Sequence, residues 1–308
     1  MKKIIALLVL TTITFSGFAQ DDTEETSKSN IQEYTPSKLL KKGQWDIKFF
    51  NSIYTQTEST NERSKSVTIP RQTFFTNTTE VYTGVSNNSR INVGLIFQVR
   101  SNTFGGAGAL DVFKFEDNAN ARFGLTTIAP SIRVQPFASV PNFSFTSSVY
   151  LPIFKDKANA PYLDKRSVFW ETKFFYDKTF GSNKWQVFTE ADLGFNFGKK
   201  RVNENNIDIS SLDFNNGERF ANNSLFVPLS VFLSYFPSSK TTVFANTKQA
   251  FLIDLGNDFS QNSTSLGFGG KYQLTDVLNV EASFDKFVRG NNFQGLGQTF
   301  SLGLRALF

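Results

Sequence analysis

The stretch TFSLGLRALF, residues 299–308, decides the fold. Phe300, Leu302, Leu304, Ala306 and Phe308 fall on one side of an extended chain, and Ser301, Gly303 and Arg305 on the other. A period of two marks a β-strand with one apolar face. Such a strand, ending on an aromatic ring, cannot sit at the edge of a soluble sheet without exposing a greasy face and open backbone groups. It is accommodated where the face meets lipid and the edge is closed against another strand.

Working outward from this stretch, the same alternation recurs along the chain. Expected strands cover residues 44–55, 72–85, 90–100, 122–134, 142–151, 167–177, 185–198, 225–236, 241–251, 265–274 and 278–287. The cleanest is 90–100, where Ile91, Val93, Leu95, Phe97 and Val99 alternate with Asn92, Gly94, Gln98 and Arg100. Residues 225–236 carry Leu225, Val227, Leu229, Val231, Leu233 and Tyr235 in strict alternation. Segment 72–85 is weakly patterned, with Phe75, Val81 and Val85 as its lipid-facing candidates. In 122–134, Phe123, Leu125 and Thr127 point outward; Pro130 then predicts a bulge and a change of phase to Ile132 and Val134. Pro228 is expected at a rim bulge.

The expected fold is all-β: a closed antiparallel transmembrane β-barrel of twelve strands, spanning residues 44–308. Ten and fourteen strands stay open, because the second and fourth segments are poor. The connections alternate. Those at 86–89, 135–141, 178–184, 237–240 and 275–277 are short, whereas 56–71, 101–121, 152–166, 199–224, 252–264 and 288–295 are mostly long and polar. Short periplasmic turns and long external loops produce this rhythm in outer-membrane barrels. On this threading Trp45, Tyr176, Trp185, Tyr235, Tyr272 and Phe308 all approach the periplasmic rim, the level interfacial rings prefer.

Residues 1–19, with Lys2 and Lys3 ahead of an apolar run and Ala19 at its end, read as a secretory signal peptide. Residues 20–43 read as a flexible periplasmic lead-in, in which 37–42 has a weak helical tendency. No later run is apolar and long enough for a spanning helix.

The 308 residues include no histidine and no cysteine. That excludes Ser–His–Asp and Cys–His catalysis and the usual transition-metal ligand sets, so neither an enzyme nor a cofactor is expected. Asp254 and Asp258 fall short of a calcium ligand set. The net charge of +5 includes Lys2 and Lys3, and the remaining basic residues are scattered, which argues against nucleic acid.

The inward face carries the functional candidates. Alternation places Asp46, Lys48, Arg100, Glu171, Lys173, Glu190, Asp192, Lys248, Lys271, Glu281, Asp285 and Arg305 toward the lumen, with Glu80 and Arg90 on the same side. Charges at membrane depth avoid lipid and turn inward. Two clusters follow: Glu171 and Lys173 beside Glu190 and Asp192, and Arg305 beside Glu281, Asp285, Asp46 and Lys48.

Taken together, the leader, the alternating strands and the terminal Phe300/Leu302/Leu304/Ala306/Phe308 pattern resemble the outer-membrane β-barrel proteins of Gram-negative bacteria. The Phe18-Ala19-Gln20 site and the Asn/Lys/Phe-rich chain are similar to those of the Bacteroidota. The resemblance implies a cell outer-membrane location, contact with lipid and lipopolysaccharide, and insertion by the barrel-assembly machinery. The phospholipases and proteases built on such barrels rely on histidine, so the resemblance does not extend to them.

Three functions fit. A passive channel for small polar solutes or ions is the leading one. A non-conducting barrel is the second; it would join other outer-membrane proteins through the loops 101–121 and 199–224. A transporter of hydrophobic molecules is disfavoured by the polar lumen. A chain lacking residues 1–19 is expected to stay monodisperse only in detergent; light scattering of a stable, detergent-free monomer would rule out a lipid-facing surface.

Overall fold

Period-two alternation yields twelve strands in the computed structural model, which describes residues 37–154, 161, 163, 167–197, 223–255, 260–292 and 294–308. The expected leader, residues 20–36 of the lead-in and most of the 199–224 loop lie outside the described residues. The strands are β1 (Trp45–Thr60), β2 (Ser66–Gly84), β3 (Ile91–Thr103), β4 (Ala121–Val134), β5 (Phe143–Pro152) and β6 (Val168–Phe180). They continue as β7 (Trp185–Phe197), β8 (Ser224–Ser238), β9 (Thr241–Asp254), β10 (Ser260–Gln273), β11 (Leu278–Asn291) and β12 (Gln298–Leu307). Each pairs antiparallel with its sequence neighbours, and β1 pairs with β12, so the sheet closes.

The seam runs from Asp46↔Leu307 to Thr55↔Gln298. This register sets Ile53 against Phe300 and Phe49 against Leu304 on the outer face, and Lys48 against Arg305 on the inner. Leu302 and Phe268 are 54% and 63% exposed, which places the apolar side outside the ring. The outer wall is a band of exposed Val, Leu, Ile and Phe, the surface that a bilayer covers. Trp45, Tyr176, Trp185, Tyr272 and Phe308 are exposed at one end of it, and the Trp185 ring lies 4.8 Å from Tyr235.

Three details depart from the alternation. The phase change in β4 is real but falls earlier, where β3 and β4 slip register between Gln98 and Val99. Thr127 consequently opposes Gln98 on the inner face rather than pointing outward. Pro130 makes no bulge. It pairs with Leu95 on β3, and the β5 ladder skips from Ile128 to Ser131 and resumes in unchanged register. Pro228 behaves alike: it pairs with Ala250, while the β7 ladder has a gap between Ala191↔Leu229 and Gly194↔Phe226. Proline removes one donor, and a single missing bond is tolerated without shifting the strand.

Several external connections are shorter than expected, because the strands run on. β1 and β2 continue past the apolar belt and meet at residues 61–65, with an irregularity between Gln56 and Glu58. Thr, Ser and Gln on both faces of this hairpin hide its period. The 104–120 loop folds back against the outer wall. Its single 3-10 turn, Asp111–Lys114, buries Val112, whose carbonyl accepts from Ser101 Oγ at 2.6 Å. Phe113 and Phe115 then cover Phe75 at ring distances of 5.2 and 6.3 Å, so this outward ring meets the loop rather than lipid.

Residues 37–43 are packed rather than free. They follow the inner wall at the periplasmic end, with Leu40 buried beside Tyr82 and Leu307. Asn92 brackets Leu40 from both sides: its Oδ1 accepts from the Leu40 amide at 3.0 Å, and its Nδ2 donates to the Leu40 carbonyl at 3.2 Å. Lys41 lies so close to Gly84 that any Cβ there would strike its carbonyl oxygen. Gly43, at φ +84°, makes the turn into β1.

Leu302→Lys is expected to cost about 2–4 kcal/mol, the penalty of a cation on the lipid face, and Ser301→Lys less than about 1 kcal/mol. Denaturant titration of barrel refolded in lipid measures both.

Candidate functional site

The strand register converts sequence parity into a lined bore. A cavity of about 570 Å³ inside the ring touches side chains from all twelve strands. Lys48, Arg100, Glu171, Lys173, Glu190, Lys271, Glu281 and Arg305 line it. Of the remaining four candidates, Asp46 and Asp192 are ion-pair partners of the lining residues Arg305 and Lys173, and Lys248 and Asp285 pair with each other.

Arg305 organises the first group. Its Nε and Nη2 donate to the two Asp46 oxygens at 2.7 and 3.0 Å, a forked pair across the seam. Arg133 reaches the same carboxylate at 3.1 Å and Glu80 at 2.7 Å. Lys48 stands 3.6 Å from Glu80, and the Arg133 guanidinium lies 3.4 Å from the centre of the Tyr82 ring. Tyr82 fits because the facing position on β3 is Gly94, where any Cβ would collide with the ring.

The expected grouping of Arg305 with Glu281 and Asp285 is corrected. On β11 the residue opposite Arg305 is Asn279. Glu281 instead takes Lys271 at 3.1 Å, and Asp285 takes Lys248 at 3.0 Å, each from the β10 side of the wall. Arg133 was missed although Ile132 and Val134 bracket it; Pro130, three residues earlier, obscured the phase of that strand. Arg90 sits in the turn before β3, where its amide is bonded to Ser86 Oγ.

The second group has the expected members. Lys173 Nζ stands 3.6 Å from Glu171, 3.5 Å from Glu190 and 3.5 Å from Asp192. Tyr150 donates to Glu171 at 3.2 Å. One cation thus faces three carboxylates, whereas Lys48, Arg133 and Arg305 face two. The walls of the bore differ in sign.

Sequence reasoning missed a different class of lining. Phe175, Phe188, Phe232 and Phe244 point inward from β6, β7, β8 and β9 and also line the cavity. Phe175, Phe232 and Phe244 are flanked by outward apolar residues, as Phe232 is by Val231 and Leu233, and Phe188 by Val187 and Thr189, so parity alone distinguishes them. The lumen is therefore amphipathic rather than simply polar. At the external end, Leu163 is buried and its carbonyl accepts from Asn102 Nδ2 at 3.2 Å. Among the described residues there is no cluster of three metal-ligating side chains.

Comparison with known proteins finds no matching family model and no matching curated sequence. Solved structures do match. An outer-membrane channel from Pseudomonas putida F1 superposes with a TM-score of 0.65 at 11% identity, over 88% of this chain and 98% of that one. The β domain of the Bordetella autotransporter BrkA gives 0.52 at 14% identity, over 86% and 99%. At such identities the likeness is one of fold. The chain has the fold of Gram-negative outer-membrane β-barrels, and its apolar wall meets the outer membrane.

Arg133→Ala is expected to cost about 1.5–3 kcal/mol, because Asp46 and Glu80 lose a shared guanidinium while keeping Arg305 and Lys48. Lys271→Ala, at a half-exposed pair, is expected to change stability by less than about 1 kcal/mol. Urea midpoints read by the gel shift between folded and unfolded barrel separate the two.

Proposed function

We propose that the protein is a passive channel through which small polar solutes or ions cross the outer membrane. The observation that carries this reading is the internal cavity in contact with every strand, bounded by charges at membrane depth. A barrel closed only for stability has no need of an interior volume; eight-stranded barrels fill theirs with side chains. The Pseudomonas putida structure of similar fold is itself described as an outer-membrane channel, which supports the reading. Lipopolysaccharide around the apolar belt and the barrel-assembly machinery during insertion are the partners this role requires.

A second reading rests on the two mouths. Leu40 packs at the periplasmic end and Leu163 at the external end, and the lumen charges are largely paired. These features suit a non-conducting barrel that serves as a subunit of a larger surface assembly.

Planar-bilayer recording decides between them. The channel reading expects steady open current from purified protein. It further expects Lys173→Gln to move the reversal potential toward cations, because three carboxylates then lose their shared counter-charge. Silence from a correctly folded, heat-modifiable barrel would leave the structural-subunit reading.

A further inference from the structure

The four inward phenylalanines form a continuous ladder across adjacent strands. Ring centroids lie 5.9 Å apart for Phe175–Phe188, 5.6 Å for Phe188–Phe232 and 5.8 Å for Phe232–Phe244. The end rings are buried, whereas Phe188 and Phe232 are only half covered and face the cavity. Phe244 lies flat against the wall because the neighbouring position on β10 is Gly269, where a Cβ would come within 2.5 Å of the ring. The ladder is thus a preformed apolar patch, its Phe188 and Phe232 planes inclined to each other at 56°. Lys248 Nζ stands 5.8 Å from the Phe232 ring and marks its upper border.

The opposite wall has a different character. Halfway round the ring, β12, β1, β2 and β4 carry Arg305, Asp46, Lys48, Glu80 and Arg133. Lys48, Glu80, Arg133 and Arg305 line the same cavity as the ladder. Each carboxylate is held between two cations, so this wall presents guanidinium donors and carboxylate acceptors side by side.

We propose that the cavity is a binding site for a neutral polyhydroxylated solute, a mono- or disaccharide, held with its apolar face against the inclined Phe188–Phe232 pair. This deepens the channel reading and rests on it for its physiological meaning. Three arguments select the class. A hydrocarbon would satisfy the phenylalanines but desolvate the charged wall without compensation. An organic anion would meet the Asp46 and Glu80 carboxylates wherever it met a guanidinium. A hydroxyl both donates and accepts, so a row of hydroxyls fits alternating donors and acceptors. The volume, about 570 Å³, lies within the range of small-molecule sites, roughly 300–1,000 Å³.

The test uses the full mature barrel in detergent and in planar bilayers, with maltose as probe and benzoate and toluene as competitors of other classes. Ligand-observed NMR reports binding whether or not the barrel conducts. The expected result is saturable maltose binding, weakened about three- to tenfold in Phe232→Ala and retained in Phe232→Tyr. Reversible block of the open current by maltose is expected alongside. Phe188→Leu, which keeps volume but loses the flat ring, guards against loss of folding; heat-modifiability checks each variant. Binding of benzoate or toluene in place of maltose, no maltose binding, or maltose binding indifferent to Phe188 and Phe232 would overturn the proposal. Maltose binding without any conductance would uphold the site and reject the channel.

Discussion

Backbone amides and carbonyls have no water to bond in hydrocarbon, and an unpaired one costs several kcal/mol. Everything in this molecule follows from meeting that demand with strands alone. An open sheet would leave two rows of donors and acceptors in lipid. Pairing β1 with β12 from Asp46↔Leu307 to Thr55↔Gln298 removes both rows at once. The last ten residues are therefore the half of a joint on which the other strands depend.

Closure has a second effect, which is to separate two solvents. Each strand must offer apolar groups to one side and may offer anything to the other. The inner side holds ion pairs that would be intolerable outside, among them the Asp46 carboxylate shared by Arg305 and Arg133. Room for this lining comes from glycine. Tyr82 lies over Gly94, Phe169 over Gly194, Phe244 over Gly269 and Phe50 over Gly303, and at each of these glycines a Cβ would come within 2.5 Å of the ring. Laying large rings flat against bare backbone keeps them out of the bore. The same device lets a twelve-stranded ring keep an internal volume despite its many aromatic residues.

The legible part of the fold was the part written with period two. Strands such as β3 and β8 declare both their extent and their phase, since lipid demands an apolar residue at every second position. The ends of β1, β2, β9 and β10 did not, because beyond the bilayer both faces meet water and no alternation is imposed. The β4 slip was expected from Pro130 but occurs beside Thr126, where no residue type announces it. For the bore, charged residues were legible because lipid forbids them. The phenylalanine ladder was not: a ring is welcome on either side, and only the register of β6 to β9 shows which way each one turns.

The seat of Leu40 joins parts of the chain that are made at opposite times. Leu40 precedes the first strand, Tyr82 belongs to the second and Leu307 to the last. The three side chains can meet only after β12 has found β1. This small apolar knot therefore records the completion of the ring. A chain halted one strand short would leave Leu40 without its final neighbour, and the tether at the periplasmic mouth would rest on Tyr82, the Asn92 bonds and the Gly84 backbone.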